Sequence, residues 1–200
     1  MSIDRSSASF KNNVVEIKDL INHFASGATG EIVKTQTSYL DAVCLFQSET
    51  DLPQKYRVHY RGKREFSIET VKFSSLQLLT KHPLLLQYTE PIVAVQLASS
   101  VSDKQLFREN LESAISQDFG AWRSIEEYNF MPLNEFLKES YGILMEAPKS
   151  FAEAVIQAGE RSGVKLTMLE RYKPKGIFPQ VLLFDEWYVI ADDFRLECLL

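Results

Sequence analysis

Residues 66–100 constrain the fold of this chain more than any other stretch. They form the longest run with strand-like spacing and the one poorest in charge. Phe66 and Ile68 share one parity, the pattern of a strand with one buried face. Val71 and Phe73 fall on the other parity, which places a bulge or bend near Thr70. Beyond His82 and Pro83 the alternation resumes at Leu84, Leu86 and Tyr88, and a further strand is expected there. From Ile92 to Leu97 almost every position is apolar, as in a strand covered on both faces. Pro83 and Pro91 punctuate the region, because proline cannot donate a ladder hydrogen bond inside a sheet. Such strands need cover, and the rest of the chain reads as the helices and hairpins that supply it.

Residues 1–11 are serine-rich and read as a loose terminus. A first helix is expected over 13–25, with Val14, Ile17, Ile21 and Phe24 on one face, Asn13 as its cap and Gly27 as its end. Strand-like sequence opens at Gly30, and 42–46 is a short buried strand. Tyr56, Val58 and Tyr60 then alternate with Arg57, His59 and Arg61. Gly62 and Lys63 make a turn and Phe66 and Ile68 return, which predicts a hairpin. Ser102 and Gln105 have the spacing of a capping box for a helix running to Phe119. Pro132 opens a short helix that stops before Gly142, and Ser150 with Glu153 opens another that stops near Gly163. Residues 143–147 and 164–172 flank that last helix as strands, an order that allows one βαβ crossover. Strands at 181–184 and 187–191 pair across Asp185 and Glu186, and Phe194 to Leu196 extend the sheet. The connections are short, which favours antiparallel pairing. The expectation is one α+β domain over 1–200, with about four helices packed on a mostly antiparallel sheet of meander and hairpins. A rise in helix content marks at most a subdomain seam near 100–103.

A chain of 200 residues buries about 70% of its unfolded surface, so it folds without a metal or a disulfide. Its net charge of −5 gives a poor field for nucleic acid or an anionic membrane. No segment approaches the ~18 apolar residues of a membrane span. The polar N-terminus lacks the apolar core of a secretory signal. Cys44 and Cys198 sit in apolar settings, AVCLF and LECLL, and read as buried thiols. Together these features point to the cytoplasm.

Linear catalytic and metal motifs are missing: HExxH, CxxC, GxSxG and the P-loop. His23, His59 and His82 are too far apart to suggest a ligand cluster, so neither a metal nor a cofactor is expected. The acidic pairs Glu126–Glu127, Asp185–Glu186 and Asp192–Asp193 are adjacent residues, which on a strand face opposite sides and cannot share one cleft. The GATG run at 27–30 follows a helix and reads as a cap and turn, not a phosphate cradle. Phe178, Phe184, Trp187, Tyr188 and Phe194 read as core, with one of Trp187 and Tyr188 turned outward.

The most local charge feature is the basic segment 57–64, with Arg57, His59, Arg61, Lys63 and Arg64. Alternation puts Arg57, His59 and Arg61 on one strand face. Such a face docks phosphate, nucleic acid or an acidic protein. It also serves as the solvated outer face of an edge hairpin, where charge prevents aggregation. The resulting expectation is a non-catalytic protein, regulatory or immunity-like, that binds a protein partner through Arg57, His59, Arg61 and Arg64. Homo-oligomerisation is a further expectation, and nucleic acid and membrane are not expected as partners. Two readings compete with it: an enzyme site assembled from distant residues, joining His59 or His82 to a carboxylate, and nucleic-acid contact through the basic hairpin.

Overall fold

The computed structural model describes residues 14–45, 52–68, 72–139 and 141–199. The chain opens with β1 (Val14–Val15), α1 (Ile17–Ala25), β2 (Thr29–Thr35), β3 (Tyr39–Leu45) and β4 (Gln54–Arg61). Next come β5 (Glu65–Ser67), β6 (Lys72–Phe73), β7 (Leu76–Leu79), α2 (Leu86–Thr89) and β8 (Ile92–Leu97). They are followed by α3 (Lys104–Phe119), α4 (Leu133–Glu139), β9 (Gly142–Pro148), α5 (Lys149–Arg161) and β10 (Leu166–Tyr172). The chain ends with β11 (Gln180–Phe184), β12 (Trp187–Ala191) and β13 (Asp193–Leu199). The class is α+β, with three antiparallel sheets. Two compact units divide the chain: Met1–Leu79 with Pro179–Leu200, and Thr80–Phe178. Residues 100–103, where the sequence suggested a seam, lie inside the second unit between β8 and α3.

The first unit holds two sheets, ordered β1-β13-β4-β3-β2-β6 and β5-β12-β11-β7. Period-two alternation sets the buried face. Leu40, Ala42 and Cys44 of β3 stand beside Tyr56 and Val58 of β4, which in turn neighbour Leu196 of β13. β4 runs on towards β5, β12 into β13 and β6 towards β7, so the same stretches of chain serve both sheets. Pairing followed from β2 through β3, β4–β5, β13–β12, β11 and β7–β6 returns to β2. This closure removes the open edges of a flat sheet, as in a small barrel. Phe24 of α1 stacks on Phe73 at 4.9 Å, and Phe73 meets Phe184 edge-on at 5.1 Å.

The expected hairpin over 56–68 does not form. β13 takes the place beside β4, from Asp193 opposite Arg61 to Leu199 opposite Lys55. β5 lies instead beside β12. Gly62, at φ +65°, turns the chain from one sheet into the other. Glycine is required there: a Cβ would stand 2.1 Å from Oδ2 of Asp192. β4 is therefore an inner strand and not the expected edge. A second correction concerns 84–88, which are helical and not extended. Pro83 sits in the first turn of a 3-10 helix, and His82 Nδ1 accepts a hydrogen bond from the Leu84 N–H at 3.3 Å. The bend expected near Thr70 lies outside the described residues.

In the second unit β8 is the middle strand, ordered β10-β8-β9. Ile92 and Ala94 are buried on one face and Val93, Val95 and Leu97 on the other, as the unbroken apolar run predicts. β9 and β10 both run antiparallel to β8 and hence parallel to each other. α5 carries the chain between them, which makes the βαβ crossover one that spans a middle strand. Phe107 and Leu111 of α3 and Phe151 and Val155 of α5 form one core with Val93 and Val95. The caps differ from those expected. Asp103, not Ser102, accepts from the Leu106 N–H at 2.9 Å. At α5 the Glu90 carboxylate accepts from the Ser150 N–H at 2.8 Å, so a distant residue replaces the local box.

Candidate functional site

Tyr56, Val58 and Tyr60 are buried, so period two turns Arg57, His59 and Arg61 to the outer face of β4. Register then decides their company. β3 brings Tyr39 beside His59 and Asp41 beside Arg57. β13 brings Arg195 beside His59 and Glu197 beside Arg57.

Asp41 is only 2% exposed. Arg57 grips it with two prongs, Nε to Oδ1 at 2.7 Å and Nη2 to Oδ2 at 3.2 Å. The guanidinium also lies 4.2 Å over the Tyr39 ring. The hydrogen bond from Arg57 holds the Asp41 carboxyl below its ordinary value, against the opposing pull of burial. Arg57 is thus committed to the fold. Arg64 is tied as well, with Nε and Nη2 at 3.1 and 3.0 Å from Oδ1 of Asp192.

His59 and Glu197 meet at 2.9 Å across 138 residues of sequence, and both are about half exposed. Arg195 is 77% exposed, with a long contact of 3.4 Å to Asp193. Arg61 is exposed, and among the described residues its guanidinium has no hydrogen-bond or ion-pair partner; its backbone carbonyl accepts from the Asp192 N–H. Ser38, His59, Tyr60, Arg61, Asp193 and Arg195 line an open groove of about 420 Å³. From the buried face of β4 the Tyr60 hydroxyl donates to the Gln36 carbonyl.

Of the four residues singled out by sequence, His59 and Arg61 share this groove, whereas Arg57 and Arg64 are bound to acids at its margin. Arg195 was missed. Its signal was the alternation of Asp193, Arg195 and Glu197, which marks an outer strand face. Nothing in that alternation names β4 as the neighbour.

The other candidates have structural occupations. His82 packs against Trp122 at 4.9 Å, and burial, then Arg123, pushes its pKa down. Asp185, at φ +52°, accepts from the Ser74 and Ser75 N–H groups at 2.9 and 2.8 Å. Burial raises its pKa, but those hydrogen bonds together outweigh it and leave the carboxyl below its ordinary value. Glu127 accepts from Arg123 and from the Ser124 N–H. Trp187 packs against the core of the first unit, whereas Tyr188 is half-buried with its hydroxyl donating to the Glu65 carboxylate at 3.3 Å. Both cysteines are free thiols; burial pushes Cys44 up to about 12. No group of three His, Cys, Asp or Glu among the described residues is placed to hold a metal ion. No helix among them is long and apolar enough to cross a membrane. Comparison with protein-family models, with curated proteins and with solved structures finds no match.

Proposed function

We propose that this chain is a non-catalytic module that binds another protein, docking an acidic segment of that partner in the groove beside β4 and β13. One observation carries the reading: the Arg61 guanidinium is without a partner among the described residues, and Arg61 lines the groove together with a loosely held Arg195. Two guanidinium groups on one open face suit carboxylates presented by an extended segment. Arg57 and Arg64 are answered by Asp41 and Asp192, and Glu197 stands beside His59, which weakens the broad positive field a polyanion needs. The His59–Glu197 pair is the observation that favours an enzyme, as an oriented base. Both side chains are half in solvent, however, and the groove is open, which suits docking better than sequestered chemistry. The same reading places the chain in the cytoplasm, where its free thiols stay reduced.

The test is capture from native host lysate with the wild type and with an Arg61→Glu, Arg195→Glu double variant. A stoichiometric protein partner should bind the wild type, weaken with added salt and be lost in the variant. Equal capture by both, or a protein enriched by neither, refutes the reading.

A further inference from the structure

The second unit carries a site that the groove does not explain. Its origin is an irregularity in β10, where the register slips between Glu170 and Tyr172. Leu169 stands opposite Ala94, and Glu170 opposite Val93, a member of the helix-covered core. In a regular strand Tyr172 would share the face of Glu170. The bulge sets it opposite Ile92 instead, on the face of Ala94. Arg171 reaches the same side, with Nε 2.7 Å from Oε1 of Glu146. Glu146 is itself in register with Ala94.

A cavity of about 380 Å³ opens on this side, lined by Gln87, Tyr88, Ile92, Tyr128, Glu146 and Tyr172. Tyr88 of α2 and Tyr172 at the end of β10 border it, together with Tyr128, whose backbone carbonyl accepts from the Glu146 N–H and whose ring packs on Phe151 of the helix-covered core. Arg171 neutralises Glu146, so the cavity offers little net charge to an ion. It offers aromatic faces, one alkyl contact, a carboxylate acceptor and an amide. A pyranose ring has the matching chemistry: a C–H face that stacks on an aromatic ring and a rim of hydroxyls that donate to a carboxylate. The volume suits one or two such rings. We propose that this cavity binds a neutral saccharide, with Tyr172 as the stacking platform and Glu146 as the hydroxyl acceptor.

The full chain would be titrated by calorimetry and NMR with maltotriose, cellotriose and chitotriose, with adenosine and guanosine as planar aromatic controls. Saturable binding of at least one trisaccharide is expected, with a Kd of roughly 1 mM or tighter. Tyr172→Ala and Glu146→Gln should each weaken it by about tenfold, the scale of one lost stacking or charge-assisted contact. Tyr172 is 61% exposed, so its variant should keep the wild-type melting temperature and report on binding alone. Three results would overturn the proposal: no trisaccharide bound at ~10 mM, binding undiminished in both variants, or saturable binding of the nucleosides only.

Discussion

A carboxylate with 2% exposure persists at Asp41 because Arg57 satisfies both of its oxygens. The folded state holds its pKa below the ordinary value of 3.8, chiefly through the Arg57 hydrogen bond. A depressed carboxyl stabilises the fold fully above its unfolded pKa, and that contribution fades as pH falls through the folded value. Asp185 is shifted in the same direction and adds to the same loss. The melting midpoint should therefore fall as pH drops from about 5 to about 2. Asp41→Asn should melt lower than wild type at neutral pH and lose less on acidification, since the titrating group is gone. Differential scanning fluorimetry across that range decides the matter; parallel curves for the two proteins would mean that Asp41 is not a source of the acid sensitivity.

Gly62 turns β4 out of one sheet and towards the other, and it does so beside Asp192, where β12 passes into β13. Ala at this position meets two penalties, a positive φ and a Cβ 2.1 Å from the Asp192 carboxylate. Gly62→Ala should destabilise by about 1–3 kcal/mol. Urea unfolding would show the cost as a lower midpoint at an unchanged slope, and a midpoint equal to wild type would rule out a strained corner. The same glycine shows why elements were only partly legible in the sequence. Alternation in β4 was readable, because burial of Tyr56, Val58 and Tyr60 is a local consequence of strand period. The unbroken run of β8 and the apolar faces of α3 and α5 were readable for the same reason. A corner and a hairpin, however, both want glycine between alternating runs, and only the distant β13 decides between them. The alternation of Leu84, Leu86 and Tyr88 misled similarly: the fully buried pair is Leu84 and its neighbour Leu85, a pattern that a short helix produces, while Leu86 and Tyr88 are only half-buried. The groove was half legible. His59 and Arg61 belong to the local basic run, whereas Arg195 joins them only through long-range pairing.

At the scale of the whole molecule, the second unit is an insertion between two paired strands. Leu79 at the end of β7 lies opposite Val181 near the start of β11, so the chain leaves and re-enters the first unit at adjacent points. Each unit has its own core cluster, and neither cluster draws a residue from the other unit. Such an insertion is the kind of segment that folds by itself. Thr80–Phe178 expressed alone should unfold in one cooperative transition, with an enthalpy near the ~70 kcal/mol typical of a domain of about 100 residues. The remaining chain, with a Gly-rich turn closing β7 onto β11, should melt cooperatively as well. Functions should part with the pieces. The groove of His59, Arg61 and Arg195 belongs wholly to the first unit, and the tyrosine-lined cavity wholly to the second. Partner capture should therefore stay with the closed β unit and saccharide binding with the insert. Calorimetry on the two pieces comes first: a broad, non-cooperative melt from either one would show that its core is incomplete without the rest of the chain.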